Sequence, residues 1–119
     1  MNNVILMAAL IFGADYKEAY EKASLEKEPM VIFVSAEWCQ YCKETEPLLK
    51  SVYKNYVYLD FDDDNDRVEK VLKISKNRSL PQILFWSRKN GDWRFKSLIG
   101  KHNKPEIEDF LEIVPIRSP

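Results

Sequence analysis

VIFVSAEWCQYCKETEP, residues 31–47, decides how the rest of this sequence is read. It passes from apolar, β-branched residues into helix-forming ones, and at the junction it carries Cys39 and Cys42, the only two cysteines of the chain. Met30 to Ser35 is almost uninterrupted in its apolar character, which predicts a central strand buried on both faces. Beyond the cysteines, Leu49, Val52, Tyr53 and Tyr56 recur at helical spacing and predict a helix from Cys39 to Lys54, kinked at Pro47. The cysteine pair therefore stands where a strand turns into a helix. Three readings are open for it: a structural staple, half of a metal site, or a redox pair.

Working outward, residues 15–28 read DYKEAYEKASLEKE, with Tyr16, Ala19, Tyr20 and Ala23 on one helical face and Pro29 as the stop. Tyr56 to Phe61 reads as a second strand, and Val68, Val71 and Leu72 mark a helix after the acidic turn. Gln82–Ser87 and Trp93–Leu98 read as strands joined through Lys89-Asn90-Gly91-Asp92, whose Asn-Gly pair is a hairpin signal. A last helix is predicted from Pro105 to Val114. Asn103 with Glu106 signals its start, and Ile107, Phe110, Leu111 and Val114 form its buried face. This order implies an α/β domain with a mixed sheet of four to five strands and about four helices, parallel where helices connect strands and antiparallel at the hairpin. Open sheets of this kind place their sites at the carboxyl ends of strands, where the CxxC falls.

At 119 residues there is room for one domain and one core. Its 18 basic and 19 acidic residues are interspersed and sum to −1, so nothing in the charge pattern suits a nucleic-acid partner. With a single histidine, His102, there is little material for a Ser-His-Asp or Cys-His device, and with no partner cluster the surface is its expected place. A structural zinc needs four ligands and one CxxC supplies two, so a metal would require a dimer. Covalent haem attachment needs a histidine where Lys43 stands. The run DFDDDND, residues 60–66, fails as a calcium loop because Asn65 and Val71 occupy the Gly and Glu positions, and it reads as a solvated turn and helix cap. Trp86 and Trp93 read as sheet packing.

A staple explains the cysteines poorly, because so small a ring constrains the unfolded chain little. As a redox pair they make chemical sense. Cys39 falls at or before the first helical turn, where free backbone N–H groups and the dipole favour a thiolate nucleophile. Cys42, one turn further, is expected to face inward and to resolve a mixed disulfide.

The segment EWCQYCK, Pro47 five residues after Cys42, the Leu80-Pro81 step opening a strand, the KNG hairpin and Gly100 together resemble the thioredoxin family across residues 15–114. The resemblance implies a thioredoxin fold, Cys39 as attacking and Cys42 as resolving cysteine, and Pro81 as a cis proline facing the sulfurs. It also exposes departures. Phe33 stands where typical thioredoxins bury an Asp, Tyr58 replaces the matching Lys, and Gln40-Tyr41 replaces Gly-Pro between the cysteines. Glu46, one turn after Cys42, is the expected substitute proton acceptor. Trp38, Tyr41, Leu80, Pro81 and Ile99 are expected to form an apolar collar around the sulfurs, with the Leu80 backbone free to pair with an extended peptide. Reduction of protein disulfides through a mixed disulfide, with an upstream thiol donor, no further cofactor and a monomeric state, is the resulting expectation; its rivals are a thiol oxidase or isomerase, and a chaperone-like peptide-binding module using the same apolar surface.

The lead-in AYEKASLEKEPMVIF followed by AEWCQYCKETE looks most like thioredoxin-like domains of bacterial periplasmic thiol:disulfide interchange proteins, which implies a cell-envelope location. The apolar run Val4–Phe12 is too short to span a bilayer but suits the core of a secretory signal, although no Lys or Arg precedes it. Residues 1–14 are therefore expected to be a signal peptide or else a first strand, with a cytoplasmic location in the second case, and residues 15–119 the domain.

Overall fold

A computed structural model of the chain describes residues 16–63 and 65–113. Its elements are α1 (Lys17–Ser24), β1 (Met30–Ser35), α2 (Gln40–Val52), β2 (Val57–Asp60), α3 (Asn65–Ser75), β3 (Gln82–Lys89), β4 (Asp92–Ile99) and α4 (Lys104–Phe110). The strands form one sheet in the order β2-β1-β3-β4. β1 and β2 are parallel, with Phe33 beside Tyr58, while β3 runs antiparallel to both β1 and β4. The helical connection through α3 thus does not return a parallel neighbour. Instead β3 begins where β1 ends, with Gln82 opposite Val34, and this delivers Pro81 to the cysteine end of the sheet.

Burial follows the pleat. Val31, Ile32, Phe33 and Val34 are all 0% exposed, so β1 is covered on both faces. Ile32 and Val34 pack with Tyr20 and Ala23 of α1 and with Val68, Val71 and Leu72 of α3. Val31 and Phe33 pack on the opposite face with Leu49 of α2 and Ile107 of α4. Each such side chain contributes about 1.5–3 kcal/mol on burial, which makes β1 the keel of the domain.

The hairpin takes the expected form: Asn90 and Gly91 have φ of 54° and 85°, the left-handed pair of a type I′ turn. Asn103 and Glu106 close a reciprocal capping box, each accepting the other's backbone N–H at 2.9 Å. Three helices stop earlier than their periodicity predicts, α1 and α4 in the same way. α1 ends at Ser24 rather than Pro29, with Glu26 in the left-handed region at φ 58° and Lys27 N–H returning to the Lys22 carbonyl. α4 ends at Phe110, with Glu112 at φ 60° and Ile113 N–H on the Glu108 carbonyl; Val114 lies outside the described residues. Both are Schellman-type endings. Tertiary bonds hold the two glutamates there: Glu26 accepts the N–H groups of Asn90 and Gly91 at 2.9 and 3.2 Å, and Glu112 pairs with Arg94 and Lys96 at 2.9 Å each. Similarly, α2 ends at Val52 instead of Lys54, and the Tyr53 hydroxyl, beyond the helix, donates to the Pro29 carbonyl at 3.1 Å. The expectation for residues 1–14 falls outside the described residues.

Candidate active site

At the carboxyl end of β1 the chain turns through Ala36 and Trp38, and Cys39 N–H closes the turn on the Ala36 carbonyl at 3.1 Å. Cys39 is the N-cap of α2, in extended conformation with φ −92° and ψ 108°. It is joined to Cys42 by a disulfide, with the two Cα atoms 5.2 Å apart. The backbone N–H of Cys42 donates to Cys39 Sγ at 3.1 Å, so the first turn of α2 points a donor at this sulfur. Cys39 retains 8% exposure and Cys42 none. The outer sulfur is therefore the one a partner can approach.

Across from the pair, the Leu80–Pro81 peptide is cis. Leu80 and Phe61 pack against the cluster of Ala36, Cys39 and Cys42. Pro81 is buried, and its carbonyl accepts the Gly100 N–H at 2.8 Å, which ties the end of β4 to the same locus. Ile99 is half-buried and pairs in register with Gln82. Among the described residues, neither the N–H nor the C=O of Leu80 makes a hydrogen bond.

Trp38 is 65% exposed, its Nε1–H donating to Asp62 Oδ2 at 2.8 Å and its ring meeting Phe61 edge-on at 6.1 Å. Tyr41 is also exposed, and the Lys101 ammonium sits 5.3 Å from its ring centre. Lys101 bonds Glu44 at 3.0 Å, and Gln40 Nε2 donates to the other oxygen of Glu44 at 3.2 Å. The hydrogen bond from Lys101 holds the Glu44 carboxyl below the usual carboxylate range, and the same bond raises Lys101. Both residues between the cysteines are thus linked, through Glu44 and Lys101, to the loop after β4. A cavity of about 420 Å³ opens beside this network, between Thr45 of α2 and Glu106 of α4. His102 is half-buried, with Nδ1 at 3.1 Å from Glu106 and Nε2 at 2.9 Å from the Ile99 carbonyl.

On the face of β1 packed against α2 and α4, Phe33 meets the rings of Tyr56 and Tyr58 edge-on at 5.9 and 6.2 Å. Position 33 of β1 is thus filled by an aromatic cluster. Glu46 accepts the Tyr56 hydroxyl at 2.7 Å and stands 4.0 Å from Lys50 Nζ. Burial, with the carboxylate as acceptor, pushes the Tyr56 phenol well above its ordinary range. Among the described residues no group of three or more His, Cys, Asp or Glu could hold a metal ion, and no helix is long and apolar enough to cross a membrane.

The sequence matches the Thioredoxin family model over residues 12–113. The chain belongs to the thioredoxin family. Its four-stranded mixed sheet with four described helices is the thioredoxin fold, and the Cys39–Cys42 disulfide in that fold makes it a thiol-disulfide oxidoreductase. Solved thioredoxins share the architecture. The reduced thioredoxin pre-protein of Schistosoma mansoni is 21% identical with a TM-score of 0.58, covering 83% of this chain and 89% of that one. A thioredoxin from Thermus thermophilus is 18% identical with a TM-score of 0.60, covering 82% and 81%. That of Fasciola hepatica is 16% identical with a TM-score of 0.58, covering 81% and 89%. No curated protein matches the sequence.

Sequence reasoning missed Phe61, Asp62, Glu44, Lys101 and Gln82 around this thioredoxin site. Asp62 was hidden in an acidic run read only as solvated, and Lys101 lies a whole hairpin away from Tyr41. The one available signal was adjacency: Lys101 follows Gly100, and Gln82 follows Pro81, each a residue already tied to the site.

Proposed function

We propose that this thioredoxin-family protein reduces disulfides of partner proteins. The observation that carries the reading is the asymmetry of the pair: Cys39 at the tip of α2, reachable and facing the Cys42 N–H, with Cys42 sealed behind it. In the reduced protein the Cys39 thiolate attacks one sulfur of the partner's disulfide and expels the other as thiolate. The Cys42 thiolate then attacks Cys39 Sγ and breaks the mixed disulfide. The partner leaves as a dithiol, and Cys39–Cys42 takes its oxidised place. An upstream dithiol returns the two electrons, and no other cofactor takes part. Glu46, one turn after Cys42 and oriented by Tyr56, takes up the Cys42 proton. The partner peptide lies along the unbonded Leu80 backbone, with Trp38, Tyr41, Pro81 and Ile99 as its apolar surroundings. The protein works as a monomer in the bacterial periplasm or cell envelope, a placement supported by the run Val4–Phe12 and by the periplasmic-type lead-in to the CxxC.

Equilibration with a glutathione series, together with turnover of a peptide disulfide by Cys39→Ser and Cys42→Ser variants, tests the reading. Cys39→Ser abolishes turnover, and Cys42→Ser accumulates a mixed disulfide through Cys39. A reduction potential near that of strong oxidants, about −120 mV, would reverse the direction. Unchanged partner affinity in Cys39→Ser with no turnover by the unmodified protein would make it a binding module instead.

A further inference from the structure

Gln82 follows Pro81 and is 0% exposed, at the first position of β3 between Val34 and Ile99. A glutamine is a poor choice for such a place on packing grounds alone, since its amide must be desolvated. Its Oε1 has no hydrogen-bond partner among the described residues. Its Nε2, by contrast, makes both bonds it can: to the Asn77 carbonyl at 2.8 Å and to the Ser79 carbonyl at 3.0 Å. The two acceptors lie in the loop that leads into Leu80. An orphaned oxygen beside a fully used nitrogen marks the function of the side chain as donation to that loop.

The same loop is fastened from outside. Ser79 N–H bonds Asn77 Oδ1 at 2.7 Å, Ser75 Oγ donates to the Asn77 carbonyl at 3.2 Å, and Arg78 forks onto Glu69 with bonds of 3.1 and 3.0 Å. After all these bonds Leu80 is left with neither backbone group used, while its side chain rests on the disulfide cluster. Carbonyls that could otherwise swing toward a docked peptide are turned inward to Gln82. Among the described residues the Leu80 N–H and C=O are left without a hydrogen-bond partner.

We infer that Gln82 is a positioning residue for peptide recognition: its buried amide holds the Asn77 and Ser79 carbonyls so that the Leu80 backbone meets an extended disulfide-bearing peptide in register with Cys39. This rests on the peptide-disulfide reading above and adds to it the side chain that sets the docking edge. A small aromatic disulfide makes no main-chain pairing with Leu80, so it reports sulfur reactivity without the edge.

The test measures kcat/KM for a disulfide-bonded peptide and for dithiobis(nitrobenzoate) in the unmodified protein and in Gln82→Met, which keeps the length and loses the donors. The ratio of peptide to small-disulfide efficiency falls roughly tenfold in Gln82→Met, chiefly through KM, because a shift of the docking edge misplaces the peptide sulfur. A ratio within twofold of the unmodified protein overturns the inference, as does an equal fall on both substrates. Where Gln82→Met does not fold, Asn77→Ala, which cuts the Ser79 bond at the outer side of the loop, carries the same test. It lowers the ratio in the same direction, and an unaltered ratio refutes the claim. Failure of the unmodified protein to turn over either disulfide would instead sink the oxidoreductase direction proposed above.

Discussion

Placing an aspartate at position 33 recreates in this chain the buried carboxylate that typical thioredoxins carry below their cysteines, and here it should break the domain. Phe33 is wholly buried, packed with Leu49 and Ile107 and flanked by the rings of Tyr56 and Tyr58. Emptying such a site costs about 3–5 kcal/mol from lost transfer and the cavity left behind. An unpaired carboxyl in its place adds about 1–3 kcal/mol, since the hydroxyl of Tyr56, whose ring meets Phe33, already serves Glu46. The total, on the order of 4–8 kcal/mol, rivals the whole stability of an ordinary domain. Urea unfolding of the oxidised protein, followed by tyrosine and tryptophan fluorescence, should find Phe33→Asp unfolded or nearly so in water, while Phe33→Leu loses about 1–2 kcal/mol. The sign with pH is also fixed. A buried carboxyl has its folded pKa raised, so whatever stability Phe33→Asp keeps is greatest at acid pH and is lost as pH rises through that value. A loss under about 2 kcal/mol at an unchanged m-value, independent of pH, would show the space around position 33 to be polar and would refute the reasoning.

Three further outcomes are expected. Asn103→Ala removes one half of the capping box of α4 and should lower unfolding stability by about 1 kcal/mol, measured by the same urea titration. Gly91→Ala forces a Cβ into the left-handed region at φ 85°, where no contact blocks it, so a loss of about 1 kcal/mol from backbone conformation alone is expected in thermal unfolding. Glu112 is held below the usual carboxylate range by the bonds from Lys96 and Arg94, so its contribution is present above that range and is lost as pH falls through the depressed value. Because these groups are largely solvated, the unmodified protein should lose at most about 1 kcal/mol more than Glu112→Gln between neutral and acid pH, measured by urea midpoints.

What could be read in the sequence was whatever chemistry is local. β1 announces itself because both its faces are buried, so every residue from Met30 to Val34 is apolar; the hairpin does so because Asn-Gly is among the few pairs that adopt two left-handed residues cheaply. Cys39 and Cys42 were legible because a strand-to-helix turn puts one sulfur at a helix tip and the next one turn inward. Helix ends were misplaced for an equally physical reason. Glu26 and Glu112 are not residues that signal a left-handed stop, and each is held in one by bonds to the β3–β4 hairpin, distant in sequence from α1 and across a helix from α4. The same holds at the site. Tyr41 meets Lys101, Trp38 meets Asp62, and Glu46 meets Tyr56, each through a contact that exists only once the sheet has brought separate loops to one end. Position 33 joins the two levels: a phenylalanine there fits the strand pattern, and by fitting it removes a charged relay. In the function proposed above, deprotonation of Cys42 falls to Glu46, which only the tertiary fold brings to the Tyr56 hydroxyl.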